Sequence, residues 1–406
     1  MSHRPIVVVG AGQAGLQLID SLRRGGYDGD MTLIGDEASL PYQRPPLSKQ
    51  YMSGDMADER LLFRPANYYT KHNIEVVRGK HVTQIDSAAR TVTFDGDTRQ
   101  YHQLALTTGA SVRRLPVPGA DLDGIYYLRS LDDARLIRHA LRLGPCRVVA
   151  IGGGFIGLEL AAAARKMGQA VTVVEAQDRL MARVVAPLIS NFYLELHRSH
   201  GVKVLLNAVV ERIVRRADGS LVVVLADGSD VLADAIIVGI GSVPECALAE
   251  SAGLECDNGI VVDEFAQTSN PNIVAAGDCT MHRNSRLDVR HRLESVQNAV
   301  DQAKIAAATL LGEPRPYEQI PWFWSDQFEA KLQMVGTWVD HDRHVMRGSI
   351  DVGAFSAFYF RGNELIGVDS INRPADHLVG RKLLACGTVV PDRMIADIDQ
   401  KLQSLL

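Results

Sequence analysis

The chain has 406 residues, 46% of them hydrophobic and 22% charged, with a formal net charge of −5. Length and balance point to a globular protein of two or three domains with sizeable cores, and the negative charge argues against a general nucleic-acid binder. No apolar run approaches the roughly 20 residues that cross a bilayer.

Met1-Ser-His-Arg-Pro5 leads directly into an apolar strand, Ile6–Val9, without a signal-peptide pattern. The cysteines Cys146, Cys246, Cys256, Cys279 and Cys386 are scattered and include no C-x-x-C pair. Reduced thiols in a cytoplasmic protein are expected, and a dithiol redox motif is absent. After the first strand comes Gly10-Ala-Gly12-Gln-Ala-Gly15, then an amphipathic stretch Leu16–Arg24 stopped by Gly25-Gly26. A second strand, Met31–Ile34, runs to Asp36. Strand, glycine turn, helix, strand and acid form the full context of a dinucleotide-binding unit, with Asp36 either on an adenosine ribose or a solvated loop acid. Pro41-Tyr-Gln-Arg-Pro-Pro-Leu-Ser-Lys49 reads as a stiff, extended segment carrying Arg44 and Lys49. Short strands come next near Glu75–Val77 and Thr91–Phe94, then Leu104–Thr107 ending at Gly109, and Arg113–Pro118 reads as a crossover between domains.

The same unit recurs at Val148-Val-Ala-Ile-Gly152-Gly-Gly154-Phe-Ile-Gly157, with a helix Leu158–Lys166, a strand Ala170–Val174 and Glu175. Two complete units imply an internal repeat and two separate dinucleotide sites. Ala186–Gly201 has helical spacing, strands run through Val204–Val210 and Leu221–Leu225, and Ala235–Ile240 ends in a second crossover, Gly241-Ser-Val-Pro244. Thr268–Gly277 is an apolar strand ending at Asp278, which either faces a ligand or caps the next segment of chain. Ser295–Leu311 is an Ala-rich helix, and Pro321-Trp-Phe-Trp-Ser-Asp326 a run of aromatics that reads first as core. From about residue 323 the rhythm changes to strands at Leu332–Val335, Phe355–Phe360 and Glu364–Ser370, with a helical tail at Ala375–Leu384 and Met394–Leu405. His341-Asp-Arg-His344 reads as a solvated turn, and no metal site is expected.

Two glycine units, Arg44-Pro-Pro-Leu-Ser-Lys49, Thr107-Thr-Gly109, Gly277-Asp278, Leu293-Glu-Ser-Val-Gln-Asn298 and Pro321-Trp-Phe-Trp-Ser-Asp-Gln327 occur in one order. That order resembles the FAD-dependent, NADH-using ferredoxin reductases that serve bacterial cytochromes P450 and ring-hydroxylating dioxygenases. The resemblance implies an α/β, glutathione-reductase-like flavoprotein with two dinucleotide-binding domains and an α/β C-terminal domain. Residues 1–110 and 244–322 would bind FAD, 111–243 NADH, and 323–406 would form the C-terminal domain. It places Gly10, Gly12, Ala14, Gly15, Asp36, Val82 and Gly109 on the FAD side. Arg44, Lys49 and Arg129 would contact that cofactor, with Pro46 against the ring, Asp278 on the ribitol, Val296 on the pyrimidine edge and Trp324 beside the isoalloxazine. Gly152, Gly154, Ile156, Gly157, Glu175 and Gly241 fall on the NADH side.

Glu159, taken alone, is an acid in the first turn of a helix and is explained by the macrodipole. The resemblance instead pairs it with Lys49 near flavin and nicotinamide, and makes Phe155 a mobile aromatic gate where packing is the plainer reading. Lys49, Phe155, Glu159 and Trp324 are thus the candidate catalytic residues. Glu175 is not followed by Arg, so NADH is expected over NADPH. An acidic [2Fe–2S] ferredoxin would dock on locally basic surface, for which the run His282–Arg292, with Arg290 and Arg292, and also Arg315 and Lys331, are candidates. A monomer or weak dimer is expected. Fold and cofactors leave the acceptor open: rubredoxin reductase, NADH oxidase, and a non-catalytic binding protein similar to apoptosis-inducing factor are the alternatives.

Overall fold

The computed structural model describes residues 4–284 and 289–406. Two compact units emerge, Met1–Arg44 with Asp58–Ser111 and Ser242–Pro321, and Pro45–Ala57 with Val112–Gly241 and Trp322–Leu406.

The first unit is built on five parallel strands in the order Ile273–Ala275, Gln103–Leu106, Ile6–Val9, Met31–Ile34, Ile74–Val77. Side chains alternate across a strand, so the apolar run Ile6–Val9 feeds two cores. Ile6 and Val8 pack with the helices Gln13–Arg24 and Val296–Leu310, whereas Val7 and Val9 pack with the strands Val82–Asp86 and Thr91–Phe94. Ala299, Ala303, Ala306 and Ala307 form the inner face of the second helix, and such small residues let it lie close to the first.

The second unit repeats the plan. Its parallel strands run Lys203–Leu205, Ala170–Val174, Arg147–Ile151, Ala235–Val238, Ile125–Tyr127. In each sheet the strand before the glycine turn is central. In each, a three-stranded antiparallel meander precedes the strand on one side of it: Val82–Asp86, Thr91–Phe94 and Asp97–Gln100, or Val210–Arg215, Leu221–Leu225 and Asp230–Ala233. The second unit also contains an antiparallel sheet in the order Trp322–Gln327, Ala330–Gly336, Glu364–Ile371, Ala354–Arg361, Arg343–Ser349, with the helix Pro374–Cys386 against it.

Several elements differ from the sequence expectation, among them the strand expected over Thr268–Gly277, which is confined to Ile273–Ala275. The helices after the glycine turns begin at Gln13 and Phe155, not at Leu16 and Leu158, because Gly12 and Gly154 are themselves the N-caps. Pro45–Ser48 is a 3-10 turn rather than an extended segment; the fixed proline φ suits that turn equally well. The strand expected through Val204–Val210 splits into Lys203–Leu205 and Val210–Arg215, broken where Asn207 takes a φ of 53°. The tail expected as a helix over Met394–Leu405 is helical only at Asp392–Ala396, with a 3-10 turn at Leu402–Leu405. Arg347, 4% exposed, explains the last of these. Its guanidinium donates to the carbonyls of Ile395 (3.0 Å), Asp397 (2.5 Å), Ile398 (3.2 Å) and Gln400 (2.8 Å), which a continuous helix would have needed. Asp376 balances the charge at 3.3 Å.

Arg347→Ala should therefore lower stability by about 3 kcal/mol, the scale for breaking a buried ion pair. It should also free the chain beyond Asp392 to proteases. Denaturant melts and timed proteolysis check this; Arg347→Lys should recover little, since a lysine cannot fork to four carbonyls.

Candidate functional site

The two glycine turns are sterically alike. A Cβ on Gly10 would lie 2.2 Å from the Thr107 carbonyl oxygen, and one on Gly152 would lie 2.5 Å from that of Gly239. Both glycines have positive φ, 110° and 102°. A Cβ on Gly15 would meet the Gly10 carbonyl oxygen at 2.1 Å, and one on Gly157 that of Gly152 at 2.2 Å, so each third glycine lets helix and turn touch. Gly12 and Gly154 are different. Among the described residues, a Cβ on Gly12 would meet nothing within 4 Å, and one on Gly154 only the Gly239 carbonyl oxygen at 3.9 Å. Neither helix has a side-chain N-cap bond or an acid in its first turn. Open space over backbone N–H groups at a positive helix end fits a bound pyrophosphate in each unit.

In the first unit, Gly10, Gly12, Ala14, Gly15, Asp36, Val82, Gly109, Asp278 and Val296 lie on or beside that framework. Gly277, whose N–H donates to Gln302 Oε1 at 2.9 Å, packs against Ala14; a Cβ there would be 3.2 Å from the alanine methyl. Val296 is the first residue of its helix, and the Ser295 hydroxyl caps that helix by accepting from the Asn298 N–H at 3.0 Å. Asp36 is exposed, and Val82 is buried in the meander. Arg44 pairs with Glu37 at 2.5 Å and donates to the Tyr42 hydroxyl at 3.0 Å. Glu37 was not anticipated from sequence, where Asp36 drew the attention given to acids at the strand end.

In the second unit the structure brings Lys49 and Glu159 together at 2.7 Å. Glu159 is 5% exposed and lies at the fifth position of the helix Phe155–Lys166, not in its first turn, so the macrodipole does not account for it. Its Oε2 also accepts from Ser48 Oγ at 2.5 Å, and its Oε1 from Ser325 Oγ at 2.7 Å. The geometry arises from two periodicities. Phe155 and Glu159 lie four apart on one helix face, while Phe323, Ser325 and Gln327 lie two apart on one strand face. Four helical residues advance about 6.0 Å and two strand residues about 6.6 Å, so the two rows stay in register. Accordingly the Phe155 ring meets the Phe323 ring at 4.6 Å, one step before Ser325 meets Glu159. Trp322 and Trp324 face the other way, 5.7 Å apart, with the Arg381 guanidinium 4.9 Å over the Trp322 ring.

The remaining second-unit candidates fall around the glycine turn or upstream of it. Glu175 accepts from the Gly153 N–H at 2.5 Å and the Gln177 N–H at 2.8 Å, which holds its carboxylate at the strand end. Ile156 is 50% exposed beside the turn, and Gly241 has a φ of 107°. Pro46 is buried in the 3-10 turn, and Arg129 is anchored through its N–H to Asp133 Oδ2 at 3.0 Å.

Of the basic candidates, Arg290 and Arg315 in the first unit and Lys331 in the second are exposed. Arg292 is not: its side chain is 13% exposed and paired with Glu294. Ser285, Arg286, Leu287 and Asp288 of the run His282–Arg292 lie outside the described residues. Sequence reasoning missed Ser48, Ser325, Gln327 and His197. Ser325 and Gln327 share the period-two face of Phe323, a signal hidden by reading Trp322–Trp324 as one aromatic block.

Residues 4–303 match the pyridine nucleotide-disulphide oxidoreductase family, and residues 322–406 the reductase C-terminal family. Rhodocoxin reductase of Rhodococcus erythropolis is 48% identical over 97% of this chain and 92% of its own. A crystal structure of the covalent putidaredoxin reductase–putidaredoxin complex matches with a TM-score of 0.96 at 38% identity, covering 100% of this chain and 98% of that one. The ferredoxin reductase for the CYP199A2 system from Rhodopseudomonas palustris matches with a TM-score of 0.95 at 41% identity over 98% of this chain and 99% of that one. With two uncapped glycine turns on repeated sheets and a reductase C-terminal domain, the chain belongs to the pyridine nucleotide-disulphide oxidoreductases, among the FAD-dependent ferredoxin reductases similar to putidaredoxin reductase.

Proposed function

We propose that this chain is an NADH-dependent ferredoxin reductase that holds FAD and supplies a [2Fe–2S] ferredoxin of a cytochrome P450 or ring-hydroxylating dioxygenase system. The observation that carries the reading is the repeated glycine turn, one in each unit, with open space over its helix end. Bound FAD supplies the conversion of a two-electron hydride into the single-electron transfers that an iron–sulfur acceptor takes.

The residues divide the work. Gly10, Gly12, Ala14, Gly15, Asp36, Val82, Gly109, Asp278 and Val296 hold FAD, joined by Arg44, Pro46, Lys49 and Arg129, with Trp324 at the ring. Gly152, Gly154, Ile156, Gly157, Glu175 and Gly241 take the nicotinamide nucleotide. Lys49 and Glu159 form the buried pair that would tune the surroundings of bound flavin, and Phe155, packed on Phe323, would be the gate that moves aside for nicotinamide. Residues 1–110 and 244–322 form the FAD domain, 111–243 the NADH domain and 323–406 the C-terminal domain. The passage of the chain from one compact unit to the other after Ser111 and after Gly241 supports the limits of the NADH domain, while Pro45–Ala57 and Trp322–Leu406 fall in the same compact unit as that domain. Arg290 and Arg315, with Lys331, present positive charge to an acidic ferredoxin; Arg292 contributes less because Glu294 already neutralises it. Five free cysteines support a cytoplasmic location, and no helix among the described residues is long and apolar enough to cross a membrane. The proposal includes a monomer or weak dimer.

Stopped-flow oxidation of NADH with [2Fe–2S] ferredoxins, rubredoxin and oxygen as acceptors tests the reading. Fast reduction of a ferredoxin and slow reaction with oxygen are expected; preference for rubredoxin or oxygen would overturn it. NADPH should be a poor substitute, because a carboxylate at this strand end, that of Glu175, would repel a 2′-phosphate. Glu175→Ala combined with Ala176→Arg should move the kcat/KM ratio towards NADPH by at least about tenfold, since removing a like-charge juxtaposition is worth several kcal/mol. Arg290→Glu should slow ferredoxin reduction roughly tenfold at low salt while flavin reduction by NADH stays unchanged. Equal loss in both half-reactions would argue against docking there.

A further inference from the structure

The Glu159 cluster continues inward. Gln327 Nε2 donates to Ser325 Oγ at 3.1 Å, and Gln327 Oε1 faces His197 Nε2 at 2.9 Å. His197, Ser325 and Gln327 are each 0% exposed. The direction of every bond is dictated from the carboxylate outwards. An ion-paired carboxylate only accepts, so the Ser325 hydroxyl must donate to it. That oxygen then accepts from the Gln327 amide, which turns the Gln327 carbonyl towards His197 and requires an Nε2–H tautomer there. Burial lowers the His197 pKa to about 4, so the ring is neutral and carries one proton. Its Nδ1 has no hydrogen-bond partner among the described residues, and the His197 and Phe328 ring centroids lie 5.1 Å apart with the rings at 71°. Four residues from three elements thus make a one-way chain ending on Glu159.

We propose that Ser325, Gln327 and His197 are positioning residues for Glu159: their chain fixes the orientation of the Glu159–Lys49 pair and, through it, the reduction of the bound flavin by NADH. The inference rests on the reading of Glu159 and Lys49 given above. Low-dielectric surroundings strengthen such aligned bonds, and each link polarises the next. The chain also gives each Glu159 oxygen its own donors, Ser48 and Lys49 on Oε2 and Ser325 on Oε1. Without Ser325 the carboxylate can rotate, and Lys49 can move with it.

Ser325→Ala should slow flavin reduction by NADH about tenfold, the effect of losing one hydrogen bond to a charged group, and Gln327→Met, which removes a link between neutral groups, by about threefold. NADH affinity should be unchanged, and the flavin midpoint potential should shift in the direction that Glu159→Gln shifts it. Ser325→Thr, which keeps the hydroxyl, should restore both. Ser325→Ala added to Glu159→Gln should bring no further loss, because the chain then has nothing to orient. In the unaltered holoenzyme, nitrogen NMR of His197 should report the neutral Nε2–H tautomer, a measurement that needs no variant to fold. An Nδ1–H tautomer, additive losses in the double variant, or variants that lose thermal stability with potential and reduction rate intact would overturn the chain. Glu159→Gln with wild-type rate and potential would instead overturn the underlying reading of the Lys49–Glu159 pair.

Discussion

A carboxylate that is 5% exposed must be met by donors, and Glu159 draws them from two stretches of chain remote from its own helix. Ser48 and Lys49 come from a short proline turn, Ser325 from the first strand of the antiparallel sheet, and Glu159 itself from the helix behind the second glycine turn. Burying an unpaired charge costs several kcal/mol, so these stretches are not free to settle independently. The 3-10 form of Pro45–Ser48 suits this demand, since it brings two successive donors to one oxygen. The match between helical and strand spacing suits it too, by placing Phe323 on Phe155 when Ser325 is on Glu159.

The glycine turns show the complementary case, in which the constraint is an absence of atoms. Neighbouring backbone at Thr107 and Gly239 leaves no room for a side chain at Gly10 and Gly152, while Gly12 and Gly154 keep space open over N–H groups. The same physics is applied twice, in parallel sheets that share a central strand leading into the glycine turn and the same inserted meander, while the edge strand comes late in the chain in one (Ile273–Ala275) and early in the other (Ile125–Tyr127). What distinguishes the copies is the helix after the turn. The first carries Ala14 and Gly15 against Gly10 and Gly277; the second carries a buried acid and an aromatic ring into a polar cluster.

Arg347 and Glu159 are built on one logic with opposite charge. Each is a buried ionic group satisfied by several partners, and each decides the conformation of chain remote from it in sequence. For Arg347 the partners are backbone carbonyls, which is why the tail is only partly helical. For Glu159 they are side chains, and the polar chain extends as far as His197.

Much of the molecule was legible in the residues themselves. The glycine turns, the strands Met31–Ile34 and Ala170–Val174, the repeat, and the acids at the strand ends arise from local patterning, because apolar periodicity and glycine stereochemistry act over a few residues. The candidate roles of Lys49, Phe155, Glu159 and Trp324 came from the order of motifs, which is also a property of the sequence alone. Tertiary structure decided what satisfies each buried charge. Ser325 and Gln327 are ordinary polar residues in a strand until a helix lays Glu159 against one and His197 against the other. Arg44 belongs to Glu37, Arg292 to Glu294, and Arg347 to four carbonyls, pairings fixed by folding and by nothing in the spacing. Local sequence sets where backbone can turn and which faces are apolar; the desolvation cost of a charge is known only once its neighbours are in place.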